Sequence, residues 1–195
     1  MITVQYIIIA CWVIFCLYWF ISARSVKPTQ ETKGWLAGNW HSLWLLIGGL
    51  FLSNLPFLAK FGVPISSLTI PLVPRSIVVN VVIIVFAVTG LIIAIAARRT
   101  LAGNWSGAVA FKEDHELITT GLYHYVRHPI YTGILLMISG TALFVGTLSA
   151  GIGLLIMALG IWFKLRAEEE LLAKQFPREY PTYKNRTKAL IPYVF

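Results

Sequence analysis

The stretch IYTGILLMISGTALFVGTLSAGIGLLIMALGIWF, residues 130–163, decides how this chain folds. It runs for 34 residues without one charged side chain. A helix needs about 20 apolar residues to cross a hydrocarbon core about 30 Å thick, so this run is too long for one span. The small residues Gly146-Thr147-Leu148-Ser149-Ala150-Gly151 mark the natural turn. Splitting there gives two helices of roughly 16 residues, about 24 Å each. They are expected to form a short hairpin that spans a thin or tilted region or stops short of the far face. Gly133, Gly140, Gly146, Gly151, Gly153 and Gly160 suit close helix packing in lipid.

Working outward from that run, three more stretches are long enough to span: roughly 2–23, 42–61 and 77–97. The expectation is therefore an all-α membrane protein of about five transmembrane helices. The whole chain agrees, with 57% hydrophobic and 12% charged residues over 195 positions. Soluble domains average about 25% charged, and disordered chains are more polar still. The two cysteines, Cys11 and Cys16, both fall in the first apolar run and read as small hydrophobes rather than a disulfide framework. That run begins Met1-Ile2-Thr3-Val4, without the positive flank of a cleaved signal, and is read as a retained helix.

Charge sets the expected orientation. In a five-helix layout 14 of the 16 basic residues fall on one side, and Lys60 and Arg75 fall on the other. The positive-inside rule then places the N-terminus outside and the tail in the cytoplasm. The net charge of +8 needs no nucleic-acid partner, since anionic lipid beside the spans accounts for it. All eight acidic residues also fall on the expected cytoplasmic side.

Two segments on that side concentrate reactive side chains, the loop 98–129 and the tail 164–195. They flank the last hairpin, so they emerge close together. The division expected is three N-terminal helices over 1–98 and a catalytic half over 99–195. Residues 161–176 contain no Gly or Pro, so the last helix should run several turns beyond the membrane, until Pro177. Leu165, Glu168, Leu172 and Phe176 share one helical face, with Glu169 close to it. Arg166, Glu170 and Lys174 lie on another face, spaced for surface ion pairs. In the loop, Pro129 suits the first turn of a helix and keeps His128 out of it. His128 then sits beside unpaired backbone N–H groups and a positive dipole end, a ready site for an anionic group.

Other chemistries are poorly supported. His124 and His128 have the spacing of helical zinc ligands, but Pro129 interrupts the helix. His115-Glu116 begins like a zinc-protease motif, yet Thr119 stands where the second His belongs. No Gly-x-Gly-x-x-Gly turn follows a strand and no P-loop is present.

The segment Arg127-His128-Pro129-Ile130-Tyr131-Thr132-Gly133 resembles the Arg-His-Pro-x-Tyr-x-Gly signature of the isoprenylcysteine carboxyl methyltransferase family. Upstream, His115, Leu117, Thr119, Gly121 and Tyr123 match its His-x-Leu-x-Thr-x-Gly-x-Tyr pattern. Downstream, Glu168-Glu169, Leu172, Phe176, Glu179-Tyr180, Tyr183 and Pro192 follow its C-terminal pattern. The resemblance covers roughly residues 103 to 192, and the related phospholipid N-methyltransferases share much of it. It implies an integral membrane methyltransferase that uses S-adenosylmethionine and releases S-adenosylhomocysteine. By position, His115, Glu116, Leu117, Ile118, Tyr123, His128, Pro129, Ile130, Tyr131, Glu168 and Glu169 would line the cofactor pocket. His128, Arg127 and Glu168 would stand nearest the chemistry, and no metal is implied. The implied acceptor is the C-terminal carboxylate of a prenylated cysteine, free or on a protein, reached through membrane lipid.

The residues are consistent with that reaction. A carboxylate is nucleophilic at neutral pH, so catalysis reduces to orientation and electrostatics. In this reading Glu168 accepts hydrogen bonds from ribose or amino groups, Tyr123 and Tyr131 pack on adenine, and Arg127 or Lys164 attracts the acceptor carboxylate. An amine-phospholipid N-methyltransferase is the nearest rival, with His124 or Glu169 as base. A sterol reductase would need many more helices, and a non-enzymatic lipid-binding protein would leave the ordered His, Tyr and Glu pattern unexplained. The compartment would be the endoplasmic reticulum in a eukaryote or the plasma membrane in a prokaryote.

Overall fold

The computed structural model describes residues 2–25, 41–53, 68–105 and 116–192. Among the described residues six α-helices form: α1 (Ile2–Ser22), α2 (His41–Leu52), α3 (Ile77–Leu101), α4 (Pro129–Val145), α5 (Leu148–Gln175) and α6 (Glu179–Arg186). Among the described residues there is no strand, only two isolated bridges. Helices α1, α3 with its 3-10 extension to Asn104, and α5 are long and apolar enough to cross a membrane. The described parts of α2 and α4 are shorter apolar helices. The expected continuation of the second run to residue 61 and the candidate His115 lie outside the described residues.

The long apolar run breaks as its small residues dictate. Helix α4 ends at Gly146, whose φ of 71° is the left-handed conformation that glycine tolerates best. Thr147 then caps α5, its side chain accepting from the Ala150 N–H. The second helix is 28 residues long, running to Gln175 as the lack of a breaker before Pro177 predicts. At this end of the bundle the segment around Pro71 straps the turn. Leu72 N–H donates to Gly146 O at 2.8 Å and Leu148 N–H to Ile70 O at 3.0 Å.

Two glycine contacts set the packing. A Cβ on Gly90 would lie 2.5 Å from Gly133 O, and one on Gly133 would lie 2.7 Å from Ala94 N. The backbones of α3 and α4 therefore touch, as small residues permit in lipid, where dispersion rather than water drives association. Gly153 of α5 meets Gly48 O of α2 in the same manner, at 2.6 Å from an added Cβ. Helix α1 covers α3 through Val4, Ile8 and Cys11 against Ile83, Ala87 and Leu91. Its Trp12 indole donates to Thr141 Oγ1 of α4 at 3.0 Å. Outward, Val13, Leu17, Phe20, Val81, Val85 and Ile92 remain exposed. An apolar surface of that kind is stable in a bilayer and a liability in water.

At the opposite end, Arg98 joins α1 to α3. It is buried, donating to Ser22 O at 2.7 Å and Ala102 O at 2.6 Å, with its guanidinium 4.6 Å from the Trp105 ring centroid. These contacts fix the floor on which the loop and tail assemble.

Candidate functional site

The site begins with Pro129. As the first residue of α4 it leaves His128 outside the helix, at φ −128° and ψ 57°, with no side chain capping the first turn. Just before it, the 3-10 turn Gly121–His124 returns the chain toward α3. Gly121 has φ 61°, and a Cβ there would sit 3.3 Å from Thr100 Oγ1. The turn buries Tyr123 against Ala97 and Ile130.

The tail is then laid alongside this loop. Arg127 N–H donates to Lys188 O at 2.8 Å and His128 N–H to Ala189 O at 3.0 Å. Thr132 Oγ1 donates to Leu190 O at 2.7 Å, and the Tyr183 hydroxyl to Tyr123 O at 2.7 Å. Arg127 holds the same strap from its side chain, donating from Nη1 to the carbonyls of Thr187 and Lys184, and from Nε to Glu169 Oε1 at 2.7 Å. Lys184 Nζ pairs with the other oxygen, Glu169 Oε2, at 2.8 Å.

Between loop, tail and helices lies a cavity of about 230 Å³. Glu116, Arg127, His128, Lys164 and Glu168 supply charge or polarity, and Tyr123, Tyr131, Tyr180 and Tyr183 line it with aromatic rings. Trp19 of α1, Leu45 of α2, Ile134 of α4 and Ile161 of α5 make an apolar remainder. Glu168 Oε1 accepts from the Tyr131 hydroxyl at 2.6 Å, and its Oε2 lies 3.8 Å from His128 Nδ1. Lys164 Nζ is 5.8 Å from the Tyr131 ring centroid. Burial and the nearby Glu168 carboxylate push the Tyr123 hydroxyl well above the usual tyrosine range. Burial pushes the Tyr183 hydroxyl up to about 12.

His128 Nε2 points to Glu169 Oε1 at 3.4 Å, and the Tyr180 hydroxyl is buried.

The expected site residues distribute unevenly over this geometry. Glu116, Leu117, Ile118, Tyr123, Arg127, His128, Ile130, Tyr131 and Glu168 line the cavity. Pro129 is buried under it as the helix start. Glu169 is not among the lining residues; it is the more deeply buried of the pair, its side chain 6% exposed against 23% for Glu168. Neighbouring positions on a helix point about 100° apart, which is why adjacent glutamates face different surroundings. His124 is exposed with its ring against Tyr125, away from His128. Arg166, Glu170 and Lys174 are exposed as expected, but Arg166 lies over Trp162 at 4.5 Å rather than in an ion pair. Trp19, Leu45, Asn104, Trp105 and Leu171 also line the cavity, and nothing in their local pattern distinguishes them.

Fold and cavity together define a helical chain, apolar enough to cross a membrane, with an amphipathic cavity at one end of its bundle. Comparison with known proteins gives a likeness to one family. The chain matches the model of the isoprenylcysteine carboxyl methyltransferase (ICMT) family over residues 80–174, a little under half its length. It is 26% identical over 192 residues to a protein-S-isoprenylcysteine O-methyltransferase of Schizosaccharomyces pombe, a match over 91% of this chain and 78% of that protein. Proteins of the same name from Saccharomyces cerevisiae and Homo sapiens are 34% and 31% identical, over 50% and 55% of this chain. Each of those two matches spans 42% of the relative's length. The proteins it resembles are thus named as methyltransferases.

Proposed function

We propose that the protein transfers a methyl group from S-adenosylmethionine to the C-terminal carboxylate of an isoprenylated cysteine at the membrane surface. The observation that carries this reading is a single cavity with both characters. Its polar end holds Glu168, His128 and Lys164, and its apolar wall draws on four membrane helices, through Trp19, Leu45, Ile134 and Ile161. A molecule with one charged end and one long apolar chain matches that division.

The residues fit the cofactor. The uncapped first turn of α4, with His128 beside it, is suited to a carboxylate. Glu168 is suited to a ribose or amino group and favours a cation. When bound, the cofactor supplies an electrophilic methyl group. Lys164 brings positive charge to the polar end, where it orients the acceptor carboxylate, while Arg127 is committed to Glu169 and the tail carbonyls. Because that nucleophile is already ionised, the chain needs no general base; it supplies desolvation, alignment and a fixed field.

The positive-inside rule supports an orientation: the tail, Arg98, Arg99 and Arg127 at the cavity end favour a cytoplasmic face there and an N-terminus outside. The test is methyl transfer in liposomes with labelled S-adenosylmethionine, offering a farnesylated cysteine analogue and an amine phospholipid in parallel. Label in a base-labile methyl ester supports the proposal, and label only in the phospholipid overturns the acceptor.

A further inference from the structure

Glu169 stands out among the charged residues around the cavity, because it has its back to it. Both of its carboxylate oxygens are spent on protein cations, Oε1 on Arg127 Nε at 2.7 Å and Oε2 on Lys184 Nζ at 2.8 Å. His128 Nε2 lies 3.4 Å from Oε1. Arg127 in turn donates to the carbonyls of Lys184 and Thr187. One side chain of α5 thus gathers the signature loop and the tail into a single junction. Just before Lys184, Tyr180 and Tyr183 of α6 line the cavity.

We infer that Glu169 is a positioning residue: through Arg127 and Lys184 it latches the tail against the loop, and it does not touch the methyl donor. Glu168, one residue earlier, faces the cavity and touches the ligand directly. The inference rests on the donor site proposed above and assigns a different task to each member of the glutamate pair.

The physical consequence is a linkage. If the latch is weakened, only a fraction of molecules hold the strap closed, and apparent donor affinity falls by that fraction. Saturating donor pulls the population back, so turnover at saturation recovers. A group that acts on the reacting atoms behaves otherwise, because its loss lowers turnover at any donor concentration.

The experiment compares Glu169→Gln with Glu168→Gln in the full-length protein in detergent, using S-adenosylhomocysteine as the binding probe. Hydrogen exchange of the Arg127 and His128 amides reports the strap, since both donate to tail carbonyls. Glu169→Gln should weaken donor binding about 10-fold, raise donor KM alike, keep kcat within about 3-fold, and speed exchange at those amides. Glu168→Gln should weaken binding while exchange stays at the wild-type rate. Thr132→Val, which removes the bond to Leu190 O without altering charge, should speed exchange and weaken binding in the same direction by about 3-fold. It carries the test if Glu169→Gln does not fold. Wild-type exchange in Glu169→Gln, or a collapse of kcat with donor KM unchanged, overturns the inference. Exchange needs no acceptor, so a wrong acceptor and a wrong latch give different results.

Discussion

Substitution of Gly133 by alanine places a methyl group where two helix backbones meet. The added Cβ would lie 2.5 Å from Gly90 O, 2.7 Å from Ala94 N and 2.9 Å from Ala94 Cβ. Ordinary contacts begin near 3.4 Å, so three atoms must retreat by half an ångström or more, and two of them are backbone. No side chain can rotate away; α3 and α4 must separate. Overpacking of this kind costs about 1–3 kcal/mol, and the rigid neighbours put this case at the upper end. For a chain of this size about 2–3 kcal/mol lowers Tm by roughly 5–10 °C. The matched control is Gly151→Ala in α5, where nothing lies within 4 Å of the added Cβ. There alanine should be neutral or should stabilise by about 0.5–1 kcal/mol through helix propensity. Thermal unfolding in one detergent, followed by near-ultraviolet circular dichroism, reads both variants. Because Gly133 follows one turn after Pro129, the displacement should also reach the cavity and weaken donor binding. A Gly133→Ala protein that melts within about 1 °C of wild type would refute the backbone contact and the packing argument built on it.

Replacing Glu168 by glutamine removes a charge that accepts from Tyr131 and faces the cavity. It should weaken S-adenosylmethionine by about 10- to 100-fold, and S-adenosylhomocysteine less, because only the former carries the sulfonium charge; calorimetric titration of both ligands gives the ratio. The Tyr183 hydroxyl, held at about 12 by burial against an ordinary value of 10.0, binds its proton more tightly in the folded chain. Its contribution is fully present below pH 10 and is lost as pH rises through 12. Stability should therefore fall across that window, and the fall should be shallower in Tyr183→Phe when unfolding is scanned against pH.

Different parts of the molecule were legible to different degrees. The break at Gly146 and the helix start at Pro129 are local chemistry, a left-handed glycine and a missing N–H, and the sequence states both. The run to Phe176 follows equally from the lack of a breaker. The signature residues announced the loop and α5 as one site because their types and order are unusual. What stayed hidden is tertiary. Trp19 and Leu45 sit in spans that are apolar on all sides around them, so no pattern separates a cavity wall from a lipid face. The sequence singled out Glu168 but placed Glu169 in the cofactor pocket beside it, since only the packed tail decides that Glu169 meets Arg127 and Lys184 while Glu168 meets Tyr131. Arg98 read simply as positive charge beside the membrane, whereas it is buried against the ends of two helices.

The central claim is that the cavity seats a methyl donor at its polar end and a prenylated carboxylate along its apolar wall. The direct measurement is the chemical identity of the product formed from labelled S-adenosylmethionine and a farnesylated cysteine analogue in liposomes. The account predicts a methyl ester that base hydrolyses, formed by the wild-type protein and strongly reduced in Glu168→Gln. A base-stable product, or ester formation at the wild-type rate in Glu168→Gln, would contradict it.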